Sequence, residues 1–393
     1  MLGPYAYGGD FYPIWLTGRE VLFHGSNPYT PEMTRKIQTG LFGRPMDPHR
    51  PADPPTDFRA FSYPLYADLL ATPLLPFSFN AVRAVLGILL PLLTAASLVL
   101  WLRAFRLQGS TSTLAIAIIF LLVSYPVLEG LYAQQAGLLV GVALAMSMAA
   151  LAREGLILAG MLLAFASVKP QLVWLLAVWL LLWAVSDWKR RKRFLLSFSS
   201  TLVLLVLVSQ LILPGWLVDW WGSLVGYSHY TLPPLTQLVL GRFLGIATGL
   251  TLLALAGMVG WSVRRQPAAS AGFALTVSFL LAVTVILAPT GGAVYDQVIL
   301  VPAICWLGFR RAEILNSGRP MRVLALATLF SLCWQWFVAC GVALASLVSP
   351  DWARNPAVLV FPTRFAAPLP FAILALLSFF VVRFLRGQAE ALT

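Results

Sequence analysis

The chain has 393 residues, of which 59% are hydrophobic and only 11% charged, against about 25% charged in soluble proteins. With a mean hydropathy of +0.82, this composition excludes a set of soluble domains and predicts an all-α polytopic membrane helix bundle. The formal net charge of +12 does not point to nucleic acid, because most of the basic residues sit in short turns between apolar runs.

Residues 1–79 differ in kind from the rest of the chain. They are polar, rich in Pro and Gly, and carry Asp10, Glu20, Glu32, Asp47, Asp53, Asp57 and Asp68. The pattern predicts an amphipathic helix over 11–24, lying in the membrane interface and ended by Gly25. A second helix should start at Thr30-Pro31, with Thr30 as N-cap and Pro31 at the first position. Residues 40–57, with five prolines, read as a loop.

A transmembrane helix needs about 20 mostly apolar residues. Eleven candidate spans lie at 80–102, 111–128, 136–152, 155–169, 170–186, 194–213, 237–262, 270–288, 293–309, 321–348 and 366–384. If residues 1–79 lie outside, the inside turns hold sixteen of the 27 basic residues, the run Lys189-Arg190-Arg191-Lys192-Arg193 among them. The short outer loops then hold only Lys169, Arg354 and Arg364. That asymmetry sets the expected orientation in the cytoplasmic membrane. Two units are expected: an extracytoplasmic loop with juxtamembrane helices over 1–79, and a transmembrane bundle over 80–393. No apolar helix precedes the outer segment, so a further leading span is expected upstream. Cys305, Cys333 and Cys340 all lie in apolar runs, and neither a metal site nor a disulfide framework is expected.

Ionisable residues in a membrane bundle mark function. Here they are Asp10, Glu129, Lys169, Asp219, His229, Arg242 and Asp296, all on the outer side in this topology. Asp10, in Gly8-Gly9-Asp10, has two readings: a helix N-cap, or a general base at the membrane surface. Lys169 precedes the helix-breaking Pro170. It either snorkels to the surface or meets a phosphate as a compact point charge. Arg242 is a second candidate for the same anion. Tyr295-Asp296 starts an apolar helix as a cap, or binds sugar hydroxyls. Trp216, Trp220, Trp221, Tyr227, His229 and Tyr230 share an outer loop, as an interfacial aromatic belt or as a stacking surface for a sugar or polyprenyl chain. Glu129 and Gln134-Gln135 lie in a short outer turn. Phosphate-cradling, zinc and serine-nucleophile motifs are absent, as is a nucleotide domain, so an activated donor would arrive through the lipid.

Several short motifs, in order along the chain, resemble glycosyltransferase family 87. Asp10-Phe11-Tyr12 and Gly25-Ser26-Asn27-Pro28-Tyr29 are similar to that family's first outer loop. Phe61-Ser62-Tyr63-Pro64-Leu65 and Pro73-Leu74-Leu75-Pro76-Phe77 resemble its Tyr-Pro-Pro segment and the Pro-Leu-x-x-Leu-Pro after it. Gln135-Ala136-Gly137-Leu138 resembles its Gly-Gln-x-Asn turn. Ala159-Gly160 through Lys169-Pro170 resembles its Ala-Gly…Lys-x-x-Pro stretch, with the proline one place early. Leu235-Thr236 to Gly241-Arg242 resembles a Ser-x-Arg segment. The resemblance implies the C-type membrane glycosyltransferase fold, with a transmembrane helix before the Asp10 loop. It also implies an inverting hexosyltransferase, mannosyltransferase-like, using a polyprenyl-phosphate sugar and a lipid or glycan acceptor. Asp10 would be the catalytic base, and Lys169 and Arg242 would bind the donor phosphate. Tyr12, Tyr63, Gln135, His229, Tyr295 and Asp296 would bind substrate. No cofactor or metal is required in this scheme. A transporter or lipid flippase is the alternative, though the sequence shows no internal repeat and no acid in mid-span. A non-catalytic scaffold subunit for envelope glycan synthesis is the third reading.

Overall fold

The computed structural model describes residues 5, 9–47, 49, 59–229, 231–289, 293–349 and 367–390. Residues 50–57 of the Pro-rich loop, with Asp53 and Asp57, lie outside this set. The described residues form helices and no strand. In chain order these are α1 (Tyr12–His24), α2 (Pro31–Phe42), α3 (Tyr66–Leu70), α4 (Phe79–Ala104), α5 (Thr111–Leu122), α6 (Tyr125–Ala133), α7 (Ala136–Leu151), α8 (Leu156–Ala166), α9 (Pro170–Val185), α10 (Trp188–Ile212), α11 (Trp216–Ser228), α12 (Leu235–Leu240), α13 (Arg242–Val263), α14 (Ala271–Leu287), α15 (Val301–Phe309), α16 (Arg311–Asn316), α17 (Arg319–Val348) and α18 (Pro368–Glu390). Short 3₁₀ segments, Thr72–Leu74 and Val294–Leu300, precede α4 and α15.

The first two helices obey their capping signals. Gly25 closes α1 in the left-handed region at φ 64°. Its N–H reaches Val21 O and that of Ser26 reaches Glu20 O, which satisfies the last carbonyls. Thr30 Oγ1 accepts from Met33 N at 3.2 Å, as an N-cap should. The helix α2 continues to Phe42, so the Pro-rich loop starts at Gly43 rather than at residue 40. These elements are not a separate body: Phe11, Ile14, Met33, Ile37, Phe61 and Leu75 belong to the same apolar core as the bundle.

Each of the eleven apolar segments is a helix or a helix pair. Among the described residues five helices are long and apolar enough to cross a bilayer: α4, α10, α13, α17 and α18. A sixth span results if α5 and α6, bent by 57° at their junction, count as one. The remaining apolar helices have 10–17 residues. Sixteen helical residues rise about 24 Å, short of the ~30 Å hydrocarbon thickness, so the length criterion gives five or six spans where the sequence predicts eleven.

At the centre lies α14, buried on nearly every face, as expected for a helix that is apolar all round. It packs against α9, α13, α15 and α18. On one flank α7 runs between α4 and α8, and α8 packs on α10. Gly160 permits that last contact: a Cβ there would lie 2.6 Å from Phe194 O and 2.8 Å from Phe198 N. Small residues let helix backbones approach where no aqueous hydrophobic force drives them together. At the arginine-rich face Arg191 clasps three helices. Its guanidinium donates to the carbonyls of Trp183, Arg264, Arg265 and Gln266 at 2.8–3.1 Å and lies over the Trp183 ring.

One buried acid gives the outer layer a pH dependence. Asp68 of α3 is fully buried, with the Thr17 hydroxyl 3.0 Å from Oδ1 and no partner for Oδ2 among the described residues. Burial pushes its pKa well above the carboxylate range. The native chain thus holds a proton that the unfolded chain releases near pH ~3.9. The contribution to stability is therefore full below about pH 4 and is lost as pH rises towards the folded pKa. Asp68→Asn, neutral throughout, should melt higher than wild type near neutral pH and show a flatter profile above about pH 4. Thermal unfolding of the purified protein in detergent measures this, and an unchanged slope in the variant would rule the account out.

Candidate active site

The link between α6 and α7 brings the first acid into the bundle. Gln134 ends α6 in the left-handed region at φ 53°, and its Nε2 donates to Arg83 O at 2.7 Å. That anchors the turn on α4 and leaves Gln135 as the N-cap of α7. The N–H of Asp10 donates to Ala133 O at 3.0 Å, so the chain just before α1 is tied to the end of α6. The Asp10 carboxylate then receives Gln135 Nε2 on Oδ2 and the Arg59 guanidinium on Oδ1. Asp10 caps nothing: Phe11 holds the N-cap position of α1, with no side-chain bond. Each carboxylate oxygen has two lone pairs, so the two donors orient Asp10 and leave each oxygen a further lone pair.

A second acid lies at the starts of α7 and α9. Lys169 occupies the N-cap position of α9. It is buried, with Nζ 2.5 Å from Asp296 Oδ1 and 4.9 Å from the Tyr295 ring centroid. The snorkelling reading therefore fails, since the ammonium points inward to a carboxylate. Gly137, in the first turn of α7, lets this pair sit close: a Cβ there would be 3.0 Å from Asp296 Oδ1 and 3.4 Å from Lys169 Nζ. The Asp296 carboxylate thus rests beside a lysine and the first turn of α7, an arrangement suited to an anion.

The start of α7 brings the two acids near each other, Asp10 on Gln135 and Asp296 beside Gly137. Tyr63, Tyr295 and Glu129 lie within electrostatic reach of both. Burial and these charges raise the Tyr63 phenol above its usual range, which keeps it an O–H donor at neutral pH. The backbone before Tyr63 is fixed by α11: Ser223 Oγ donates to Phe61 O at 2.6 Å and Trp220 Nε1 to Ser62 O at 3.0 Å. Tyr29 Oη donates to Tyr63 O at 3.0 Å. Asp219 is used in the same docking, accepting from Asn27 Nδ2 at 2.7 Å. The aromatic segment is thus a buried strut as well as an outer surface: Trp216 is fully buried, while Trp221 is exposed. Glu129 is not simply solvated, because its Oε2 is buried with no hydrogen-bond partner among the described residues.

Of the residues singled out by sequence, Asp10, Tyr63, Gln135, Lys169, Tyr295 and Asp296 converge here. Three do not. Tyr12 stacks on Tyr5, meets Phe79 edge-on and lies against Trp15, where burial raises its phenol to about 12. It wedges α1 in place rather than facing the acids. His229 is exposed, and its Nδ1 lies 3.0 Å from Val225 O, its one side-chain hydrogen bond among the described residues. Arg242 is exposed at the start of α13, with no bond to the cluster. Sequence reading missed Arg59. Its signal was slight: one arginine after a Pro-rich stretch, in no periodic pattern. Its backbone φ of 53° is uncommon for a residue other than glycine and marks it as held by its surroundings.

The family model of glycosyltransferase family 87 matches residues 61–289, more than half of the chain. Tyr63, Glu129, Gln135, Lys169, His229 and Arg242 lie within the match, and Asp10, Arg59, Tyr295 and Asp296 outside it. No curated protein matches the chain.

Proposed function

Since the chain belongs to glycosyltransferase family 87, and is thereby a multi-pass membrane glycosyltransferase, we propose that it transfers a mannose-like sugar from a polyprenyl-phosphate donor. The acceptor is a hydroxyl of a lipid- or glycan-linked sugar, and the reaction takes place on the extracytoplasmic side. The observation that carries this reading is the pairing in one cluster of an oriented carboxylate, Asp10, with a buried cation, Lys169, beside a helix start.

The step is a single displacement. The acceptor oxygen attacks the anomeric carbon and its proton passes to Asp10. The bond from the anomeric carbon to the phosphate oxygen breaks, and the polyprenyl phosphate departs with the electron pair. Configuration at that carbon inverts. Charge grows on the phosphate, and Lys169 with the first turn of α7 stabilises it, the electrostatic contribution that is usually the largest in such transfers. Asp296 holds Lys169, and the donor phosphate displaces it. Tyr63 donates a hydrogen bond to the donor, and Glu129, whose Oε2 has no partner among the described residues, takes a hydroxyl of the sugar. Residues 1–79 form the outer catalytic layer. Arg242 and His229 contribute at most to the entrance, being exposed. A transporter reading has no comparable support, because these groups gather at one cluster of helix ends rather than along a path.

Transfer of labelled mannose from a polyprenyl-phosphate donor to membrane glycolipid, by the purified chain in proteoliposomes, tests the proposal. Label in the acceptor fraction is the expected result. Donor movement across the bilayer without any new glycosidic bond would establish the transporter instead.

A further inference from the structure

A long cavity of about 890 Å³ is lined by α4, α5, α15 and α17, near the upper end of the ~300–1,000 Å³ typical of ligand sites. Asp10, Lys169 and Asp296 do not line it. Its wall is apolar along its length, with Leu98, Leu114, Ala117, Val301 and Ile304. Its ends are polar and unlike each other. One is closed by Gln297 and Gln335; Gln335 is 3% exposed, and neither of its amide atoms is bonded among the described residues. The other end is flanked by Arg103 and Arg311. Both are exposed, and neither side chain has a hydrogen bond or ion pair among the described residues. Gln108 and Gly109 lie at the same end, just before the N-terminus of α5, whose partial positive charge adds to that of the arginines. The nearby carboxylate, Glu313, is taken up with Arg310 and Arg383 at 3.9 Å.

The bore has the dimensions of one lipid chain. From Val298 to Phe309 the 3₁₀ segment and α15 rise about 18 Å, close to the ~15 Å hydrocarbon depth of a single leaflet. Gly308 leaves the passage open, since a Cβ there meets nothing within 4 Å.

We propose that this cavity is a binding site for one anionic phospholipid of the leaflet at the arginine-rich face. The phosphate lies between Arg103 and Arg311, where charge-assisted bonds are strongest, and an acyl chain fills the bore as far as Gln335, whose amide hydrocarbon cannot satisfy. The paired cations and the adjoining helix N-terminus select net negative charge over a zwitterion. The site is independent of the transfer reaction.

Native mass spectrometry of the full chain in detergent, titrated with dioleoyl phosphatidylglycerol or dioleoyl phosphatidylcholine, tests this. Wild type should bind the anionic lipid at least about tenfold more tightly, a difference of ~1.4 kcal/mol. The double variant Arg103→Gln/Arg311→Gln should lose that preference, and Gly308→Phe should lose both lipids. Arg153→Gln, an exposed arginine elsewhere, should change neither, and all variants should melt as wild type does without added lipid. Equal binding of the two lipids by wild type would overturn the proposal. So would retention of phosphatidylglycerol by Gly308→Phe, or its one-for-one displacement by a polyprenyl phosphate, which would assign the bore to a substrate tail.

Discussion

Asp10→Asn should lower turnover by at least about 10²-fold while folding and donor binding persist. General-base assistance is worth ~10²–10⁴ in rate, and the variant removes basicity with little change of shape. The asparagine keeps one carbonyl oxygen for Arg59. Opposite its new amide nitrogen, Gln135 can turn its own amide to present oxygen, so the junction of α6 and α7 stays joined to the start of α1. Asp10→Glu should retain activity only in part. The preceding segment is tight: a Cβ on Gly9 would lie 2.7 Å from a Leu41 methyl group, so an extra methylene in the next residue must displace the acceptor. A purely structural Asp10 predicts the reverse order, with Asn almost silent and Glu disruptive. Steady-state transfer rates, measured beside a melting curve and a donor titration, separate the two. Near-wild-type turnover by Asp10→Asn would remove it from the mechanism and make Glu129 the next acid to examine.

The second large effect concerns Lys169. Lys169→Ala should weaken donor binding by about 10–100-fold, because a bond to a charged group contributes ~1.5–3 kcal/mol. It also leaves Asp296 buried without its cation, and breaking a buried pair costs about 3–5 kcal/mol of stability. The two losses must be told apart, and Asp296→Asn does so. That variant keeps the lysine and takes away its competitor. If the donor phosphate replaces Asp296, the variant should be less stable alone, bind donor at least as tightly as wild type, and gain more melting temperature from donor than wild type does. Lys169→Arg should restore binding only in part, since a planar guanidinium does not fit a pocket shaped for an ammonium. Unchanged donor affinity in Lys169→Ala, with lowered stability alone, would make the pair a structural link and nothing more.

How much of the molecule is legible in its sequence depends on the range of the forces involved. Local signals are readable: Thr30-Pro31 starts a helix, Gly25 ends one, and every apolar segment is helical, because capping and hydrophobicity act within a few residues. Membrane crossing is harder, since the apolar runs at 170–186 and 194–213 look alike in sequence, and the structure is needed to show that α9 has 16 residues and α10 25. Lys169 and Asp296 are each conspicuous, yet their pairing spans 127 positions and depends on Gly137 in a third helix. Tyr12 and Arg242 have the right chemistry and neighbours in sequence, but nothing local specifies the direction of a side chain. Tyr12 is claimed by aromatic packing, and Arg242 points outward. Arg59 shows the opposite failure: a residue of the site with no pattern around it, positioned only by the folded loop.

The helix at the centre of the bundle has a consequence for how the chain is made. In the folded chain α14 is buried on nearly every face, yet one of its partners, α18, is synthesised about eighty residues later. During translation one side of α14 must therefore face the bilayer. Because that side is apolar, the wait is harmless in hydrocarbon and would be hazardous in water. Consolidation of the bundle then depends on arrival of α18. A ribosome stalled shortly before Pro368 would leave an inserted but loosely packed intermediate, the form that membrane quality control is best placed to intercept.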